Sequence, residues 1–267
     1  MDSYRIKPGS RVDLHHLDPE DTGTFHGPKL QADAVVDGKS QELEVLQELL
    51  YAEHKHKLLI VLQGMDTSGK DGTIRRVFQH VNPLGVRVAC FKAPSQEEQS
   101  FDYLWRIHSQ VPSQGEIVIF NRSHYEDVCI ARVRELIPRR VWEQRYTQIT
   151  DFERMLHEEG TTILKFFLHI SRDEQKKRLE ARRDDPDKRW KFTRADVEER
   201  KLWPSYIEAY QEALSRTSTD WAPWYVVPAN HKWYRNLVVA SVIVETLGGL
   251  GMKYPESPED VAQITID

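Results

Sequence analysis

One glycine-rich segment limits the folds open to this chain more than any other part of its sequence. Residues 64–71 read GMDTSGKD, follow the apolar run 58–62, and precede a helical pattern over 73–81. Glycines let the backbone curl so that successive N–H groups point inward, and the helix N-terminus adds its partial positive charge. The spacing G-x-x-x-x-G-K between a strand and a helix predicts a phosphate-binding loop. The alternative is a plain glycine-rich turn.

The loop departs from its usual pattern in carrying two acids. A Ser or Thr normally follows the lysine and binds Mg²⁺ through its hydroxyl, but here Asp71 follows Lys70. A second carboxylate, Asp66, lies inside the loop. Acids are unfavourable in an anion-binding loop unless they hold a metal ion or orient a reacting group. Lys70 is predicted to contact a phosphate oxygen as a point charge. The other predicted phosphate-binding residues of this segment are Gly64, Thr67, Ser68, Gly69, Asp71, Gly72 and Thr73.

Apolar runs and helical spacings alternate along the chain, which predicts a parallel sheet covered by helices. The predicted fold class is α/β, with a five-stranded, doubly wound parallel sheet. Strands are predicted at 58–62, 86–91, 116–120, 162–170 and 224–227. Helices are predicted at 40–57 with Ser40 as N-cap, 73–81, 97–110, 139–159, 173–183, 193–216 with a bend or a new start near Pro204, and 230–247.

No repeat or linker divides the sequence, so we predict one P-loop kinase domain over residues 1–267. Turn-forming residues dominate 1–38, which predicts an extended arm packed on the body, with a disordered tail as the alternative. Residues 172–200 are predicted to form the lid, and 252–267 a flexible tail.

Composition limits the kinds of partner that we expect this chain to bind and the compartment in which we expect to find it. The formal net charge of −5 argues against general nucleic-acid binding. No apolar run approaches the roughly 20 residues of a membrane span, and the N-terminus has no apolar signal core. Cys90 and Cys129 lie in apolar surroundings, which predicts buried free thiols. We therefore expect a cytoplasmic protein with no membrane or nucleic-acid partner.

A second polar group follows the third predicted strand. Phosphoryl-transfer proteins of this fold place an acid there to hold Mg²⁺, but this chain has the amide Asn121. Glu126, with the two loop acids, supplies negative charge nearby, and Arg122 suits a bidentate phosphate contact. The alternatives are a strand-ending turn residue at Asn121 and a surface ion pair at Arg122.

The segment 172–194 is rich in Lys and Arg, with acids interspersed. Arg178 and Arg182 are four residues apart and share one helix face, and Arg183 follows them. In nucleotide kinases such a segment closes over the phosphates, and its arginines stabilise the transferring group. A solvated charged face is the alternative.

Together these residues resemble the polyphosphate kinase 2 family over nearly the whole chain. The common family pattern ends the third strand in Asp-Arg-Ser-Trp-Tyr-Asn. Here residues 121–126 read NRSHYE, which resembles the subgroup, class III, that phosphorylates both AMP and ADP. The segments that carry the resemblance are 64–71 (GMDTSGKD), 120–127 (FNRSHYED), 166–171 (FFLHIS) with the basic helix after it, and 224–232 (WYVVPANHK).

The resemblance implies a P-loop kinase-like, three-layer α/β/α fold with a five-stranded parallel sheet and a helical lid. It also implies reversible, Mg²⁺-dependent transfer of the terminal phosphoryl group of inorganic polyphosphate to AMP and ADP, giving ADP and ATP. We expect Mn²⁺ to be able to replace Mg²⁺ and guanine nucleotides to be able to serve as acceptors. We also expect a homo-oligomer, a dimer or a tetramer. An ATP-dependent nucleotide or nucleoside kinase and a non-catalytic polyanion-binding P-loop protein stay open as alternatives. Predicted catalytic residues are Asp66, Lys70, Asn121, Arg122, Glu126 and Arg178; predicted metal ligands are Asp66, Asn121 and Glu126; Arg182 and Arg183 are predicted to bind phosphate.

Overall fold

A five-stranded parallel sheet forms the centre of the protein, in the strand order β2-β3-β1-β4-β5. The computed structural model describes residues 1–23, 25, 27, 29–257, 261 and 264–266. The strands are β1 (Lys57–Gln63), β2 (Val86–Cys90), β3 (Ile117–Asn121), β4 (Thr161–His169) and β5 (Trp224–Pro228). The helices are α1 (Lys29–Glu53), α2 (Lys70–Val77), α3 (Trp105–His108), α4 (Glu126–Val133), α5 (Arg139–Glu158), α6 (Arg172–Asp184), α7 (Arg194–Lys201), α8 (Trp203–Thr217) and α9 (Lys232–Gly248).

The predicted strands are confirmed, each within one residue of its expected bounds. Their apolar runs are buried on both faces, as in parallel sheets whose two faces are covered. In β1, for example, Leu58 to Val61 have no exposed surface. Helices α1, α2 and α9 contact one another, and α4, α5 and α8 form a second group. The α/β class and the three-layer arrangement are therefore confirmed.

The strand order places the predicted functional segments together. Strand β1 lies between β3 and β4, with Leu62 opposite Asn121 and Gln63 opposite Phe167. All strands are parallel, so their carboxyl ends share one edge of the sheet, where ligands bind in open α/β folds. The glycine-rich loop after β1 therefore meets the polar segment after β3.

The first helix corrects the prediction for the N-terminal arm. Helix α1 begins at Lys29, so residues 29–38 of the predicted arm are helical instead, and the predicted N-cap at Ser40 is wrong. Ser40 is buried inside the helix, and its hydroxyl donates to the Val77 carbonyl at 2.7 Å. Contacts with α2 and α9 outweigh the low helix propensity of Gly38. Within the predicted arm, Thr24, His26 and Pro28 lie outside the described residues.

The chain before α1 is fastened to the body by backbone hydrogen bonds. The Ile6 amide donates to the Trp224 carbonyl at 2.8 Å, and the Asn230 amide donates to the Pro19 carbonyl at 3.0 Å. Leu14 is buried in the core. The arm thus reaches the carboxyl end of β5, close to the glycine-rich loop.

The predicted helix over 97–110 is also wrong. The structure has a 3-10 turn and the single-turn helix α3 there. The Asp102 carboxylate accepts from the Leu104 amide at 2.9 Å, a local bond that competes with a continuous helix. Ile107 and Arg106 are buried, whereas Trp105 on the predicted apolar face is 41% exposed.

The stretch predicted as a helix over 193–216 forms the two helices α7 and α8. The predicted new start near Pro204 is confirmed, because α8 begins at Trp203 and Pro204 lies in its first turn, as expected of a residue without an amide proton. Helix α4 was not predicted, because its first residues were interpreted only as the continuation of β3.

The remaining predictions concern the thiols, the membrane and the C-terminus. Cys129 is buried but Cys90 is exposed, so the predicted burial is wrong for Cys90. Within the described ranges, no helix is long and apolar enough to cross a membrane. Met252 is buried, and the Lys253 amide donates to Glu53 at 3.2 Å. Of the predicted tail, positions 258–260, 262, 263 and 267 lie outside the described residues.

A buried ion pair fixes the segment after β3 to the sheet. Lys165 on β4 lies 2.5 Å from Glu153 on α5, and both side chains are fully buried. The Tyr125 hydroxyl donates to Glu153 at 2.9 Å, and the His124 ring lies 3.2 Å from the same carboxylate. Burial acts to raise the pKa of Glu153, but the Lys165 ammonium and His124 outweigh it, so this pKa lies below its ordinary value.

Replacing Lys165 with Met should lower the free energy of unfolding by about 3–5 kcal/mol, because it leaves the buried Glu153 carboxylate without its ammonium partner. Urea denaturation measures the change. Lys176→Met is the matched control: that side chain is 63% exposed and lies 3.9 Å from Glu180, so its loss should change stability by less than about 0.5 kcal/mol. Equal stability of the two variants would contradict this account of the core.

Candidate active site

The glycine-rich loop runs from the end of β1 to the first residue of α2 in a conformation that requires glycine at two positions. Gly64 has φ +149° and Gly69 has φ +104°. A Cβ atom on Gly64 would lie 2.7 Å from the Leu168 carbonyl oxygen, and one on Gly69 would lie 1.8 Å from Nη1 of Arg235. The loop therefore curls as a phosphate-binding loop must, tightly against β4 and α9.

Several side chains of the loop hold buried polar atoms without a hydrogen bond to any described residue. These atoms are Oδ2 of Asp66, Oγ1 of Thr67 and Oγ of Ser68. An unsatisfied buried polar atom costs about 1–3 kcal/mol, so such atoms are rare unless a site needs them for a ligand. Their clustering in one loop supports a site for a polar or charged ligand.

Lys70 folds back over the loop. Its Nζ donates to the Gly64 carbonyl at 2.9 Å. Burial, and after it the Arg122 guanidinium, lower the pKa of Lys70, while the nearby carboxylates oppose them. The ammonium thus lies over the loop, where the sequence predicted a phosphate contact.

Asp71 joins the loop to the end of β3. Its Oδ1 accepts from the Asn121 amide at 2.8 Å, and its Oδ2 lies 3.4 Å from Lys191 of the basic segment. Burial would raise the pKa of Asp71, but the Asn121 hydrogen bond and the Lys191 charge outweigh it and lower the pKa. Asp71 is therefore ionised and already partnered on both oxygens.

The turn after β3 carries Arg122 and Glu126. Arg122 has φ +65°, and its Nη1 lies 3.4 Å from Oε2 of Glu126. With its amide nitrogen turned toward Glu126, Gln63 donates to Oε1 at 3.0 Å while its oxygen accepts from Ser123. Burial raises the pKa of Glu126, against the charges of Arg122 and Lys70. A carboxylate is thus held beside the lysine of the loop.

The basic segment lies against both loop acids. Nη1 of Arg182 is 3.6 Å from Oδ2 of Asp66, while Lys191 faces Asp71. The side-chain amide of Gln175 donates to the backbone carbonyl of Asp66 at 3.2 Å. The predicted lid segment therefore covers the loop, and each acid of the loop meets one cation of the lid.

Arg178 has a different role from the one predicted. Its guanidinium donates to the carbonyls of Thr67, Ser68, Ala229 and Asn230 at 2.6–3.0 Å, and its Nε donates to Glu174 at 2.7 Å. All five N–H groups are thereby committed to protein oxygens. Arg178 positions the loop from outside, so no N–H is left for the migrating phosphoryl group.

Two more predicted residues are not brought to the loop interior. Arg183 is 56% exposed and pairs with its neighbour Asp184 at 2.7 Å. Thr73 is buried, and its hydroxyl donates to the Gly69 carbonyl at 3.2 Å, one turn earlier in α2. The remaining predicted residues, except Gly72, have a contact or conformation that places them in the site.

Beyond Gln175 and Lys191 of the predicted lid, three residues that contact the site were missed from the sequence: Gln63, Asn230 and Arg235. The side-chain oxygen of Asn230 accepts from the backbone amide of Ser171, the N-cap of the lid helix α6, at 3.0 Å. Asn230 belongs to the segment 224–232, which already carried part of the family resemblance. Gln63 directly precedes the loop, a signal that could have found it. Arg235 lies in an otherwise apolar helix, and nothing in one sequence indicates that it turns toward the loop.

The site does not contain a complete metal cage. Among the described residues, no group of three or more His, Cys, Asp and Glu side chains is gathered to hold a metal ion. Mg²⁺ is often bound by only one or two carboxylates, with water and substrate phosphates completing the shell. The unsatisfied oxygen of Asp66 and the carboxylate of Glu126 fit that arrangement.

Comparison with known proteins decides the family. The family model described as "Polyphosphate kinase 2 (PPK2)" matches residues 29–254. The chain belongs to the polyphosphate kinase 2 family. The resemblance predicted from the sequence is confirmed, and with it the prediction that the chain is a phosphotransferase. Polyphosphate kinases of this family generally depend on a divalent metal ion.

Relatives align along nearly the whole chain. An "AMP/ADP-polyphosphate phosphotransferase" of Meiothermus ruber is 57% identical over 267 residues, 100% of both chains. An "ADP-polyphosphate phosphotransferase" of Rhodopseudomonas palustris is 43% identical over 95% of this chain and 92% of its own. The crystal structure of polyphosphate kinase 2 from Arthrobacter aurescens TC1 has a TM-score of 0.94 and 46% identity, covering 98% of this chain and 93% of that one.

Replacing Gly69 with Ala should lower the affinity for tripolyphosphate at least about tenfold and cost about 1–3 kcal/mol of stability, because φ +104° strains an L residue and the new methyl meets Arg235. Calorimetric titration and urea denaturation measure the two effects. Gly38→Ala is the control: it lies inside α1 with open space around it and should stabilise the protein by about 0.5–1 kcal/mol. Unchanged binding in Gly69→Ala would refute the assigned loop.

Proposed function

We propose that this enzyme transfers the terminal phosphoryl group of inorganic polyphosphate to AMP and ADP, reversibly and with Mg²⁺, giving ADP and ATP. The observation that carries the proposal is the pairing of a phosphate-binding loop with the acids Asp66 and Glu126, each near a cation of the site. A simple anion-binding loop gains nothing from such acids. The name of the relative from Meiothermus ruber supports this donor and both acceptors, and that of the relative from Rhodopseudomonas palustris supports polyphosphate and ADP.

The reaction needs little proton transfer, because a nucleotide phosphate is already ionised. An oxygen of the terminal phosphate of AMP or ADP attacks the terminal phosphorus of polyphosphate and forms a new P–O bond. The P–O bond to the next phosphate breaks, and the shortened chain leaves with that electron pair as an anion. Positioning and charge neutralisation therefore supply most of the rate enhancement.

Each residue's position in the site determines its part in the positioning and charge neutralisation. The loop N–H groups and Lys70 hold the phosphates at the transfer point, and Arg122 stabilises charge on the migrating group. Asp66 and Glu126 would hold Mg²⁺, which neutralises charge on the phosphate oxygens when bound. Asn121 holds Asp71 at the loop through its amide, at 2.8 Å.

The lid contributes cations that the loop acids hold in place. Arg182 and Lys191 lie 3.6 and 3.4 Å from Asp66 and Asp71. A metal ion at Asp66 would compete with Arg182 for the carboxylate, which would release the guanidinium for the phosphate chain. Arg183 lies at the exposed surface of the same helix. It can contact only the part of a long polyphosphate that extends beyond the loop.

Other properties remain predictions. Polyphosphate is a flexible polyanion, so its binding should weaken with added salt, by analogy with nucleic-acid backbones. Mn²⁺ in place of Mg²⁺, guanine nucleotides as acceptors, a homo-oligomeric state and a cytoplasmic location are expected from the sequence. One P-loop kinase domain over the chain is likewise our proposal.

A donor exchange tests the proposal. Purified protein is incubated with AMP and Mg²⁺, and either long-chain polyphosphate or ATP is supplied; products are separated by anion-exchange chromatography. We expect ADP and then ATP with polyphosphate, and a loss of at least about 10²-fold in rate for Lys70→Ala, because the charge over the loop is removed. Lys176→Met, on the exposed lid surface, should keep the wild-type rate.

The same experiment separates the alternatives. Product with ATP as donor but none with polyphosphate would make the chain an ATP-dependent nucleotide kinase. Binding of polyphosphate without any nucleotide product would make it a polyanion-binding protein. Either result would refute the proposed function.

A further inference from the structure

A second arginine lies beneath the loop and has no acidic partner. Arg235 on α9 is only 3% exposed. Its polar contacts are the side-chain oxygen of Asn236, at 3.1 Å from Nε and 2.9 Å from Nη2, and the Ser68 carbonyl, at 3.2 Å from Nη1. Among the residues that the structure describes, no carboxylate forms an ion pair with it. An unpaired buried charge is unfavourable, so its presence here needs a reason.

The Ser68 carbonyl is the point at which the two buried arginines meet. It accepts from Nη1 of Arg178 at 3.0 Å and from Nη1 of Arg235 at 3.2 Å. In a trans peptide the carbonyl oxygen and the following N–H point to opposite sides. The described chain has no cis peptide bond. With the Ser68 carbonyl turned toward the arginines, the Gly69 N–H is turned toward the interior of the loop.

Close packing leaves this peptide little freedom. A Cβ atom on Gly69 would lie 1.8 Å from Nη1 of Arg235, so the loop backbone rests directly on the guanidinium. The Gly69 amide donates no hydrogen bond to the described residues. Its proton is therefore held in place and unused, at the side of the loop where a phosphate would lie.

We propose that Arg235 is a positioning residue for phosphate binding, which fixes the Ser68–Gly69 peptide with its N–H directed at a bound phosphate and adds a buried positive charge beneath the loop. The identity of that phosphate, in polyphosphate or in a nucleotide, rests on the proposed function; the positioning role does not.

Charge distinguishes Arg235 from Arg178. Arg178 has Glu174 at 2.7 Å, whereas Arg235 has only a neutral amide and a carbonyl. Burial, and then the charge of Arg178, lower the pKa of Arg235 to about 9. A bound phosphate would supply the missing negative charge. The buried guanidinium is already in place before the phosphate binds, so its attraction for the phosphate adds directly to binding.

The test is a calorimetric titration of each protein with sodium tripolyphosphate, in buffer without divalent metal. Arg235→Met should bind at least about tenfold more weakly than the wild type, because both the charge and the carbonyl contact are lost. Arg235→Lys keeps the charge and should bind more tightly than Arg235→Met. The control Arg87→Met removes an arginine that pairs with Glu116 at the opposite edge of the sheet and should bind like the wild type. Equal affinity in all four proteins would overturn the proposal.

A second measurement does not depend on how the variants fold. In the wild-type protein, the Gly69 amide resonance should move downfield by NMR when tripolyphosphate or AMP is added, as expected when an N–H begins to donate to a phosphate. The compound that moves it identifies the phosphate concerned. No movement with either compound would overturn the proposal. Binding of tripolyphosphate without its transfer to AMP would instead refute the proposed function and leave this role intact.

Discussion

The active site depends on the commitment of all five N–H groups of Arg178 to protein oxygens. Through these bonds one side chain joins the base of the lid helix, the outer side of the glycine-rich loop and the end of β5. The carbonyls of Thr67 and Ser68 are thereby held on the outer side of the loop, which leaves the Gly69 N–H to face inward. A charged donor to a neutral acceptor gives stronger hydrogen bonds than two neutral groups, which suits a loop that must keep its shape while substrates come and go.

The positions of the charged side chains around the glycine-rich loop follow a second rule. A loop built for anions carries Asp66 and Asp71, and each lies within 4 Å of a lid cation. Below the loop, Arg235 is buried without an acid. We propose that the acids serve to hold cations, either a lid side chain or a metal ion, while backbone N–H groups, Lys70 and the buried arginine serve the phosphate. On this proposal, the division lets one small site bind a highly charged chain and a metal ion together.

The sheet and the loop could be predicted from the sequence because their signals are local. An apolar run such as 58–62 has no stable place except inside a covered sheet, and the glycines at 64 and 69 are needed for the turn itself. The start of α1 could not be predicted, because Gly38 breaks helices in isolation and is tolerated here by packing against other helices. Arg178 was assigned to substrate for a similar reason: its helix position was right, but only the fold reveals that four carbonyls lie around it. Arg235 and the carbonyl it meets are 167 residues apart, so no pattern in the chain connects them.

The most direct test of this division of charge is the affinity of wild type and Asp66→Asn for tripolyphosphate, each measured with and without Mg²⁺. Without the metal, we expect Asp66→Asn to bind about tenfold more tightly than the wild type, because a repelling carboxylate is gone and Arg182 is free for the phosphate. With the metal, the wild type should gain affinity and the variant should gain little. An equal gain from Mg²⁺ in both proteins, with no tighter binding by the variant in its absence, would contradict the account.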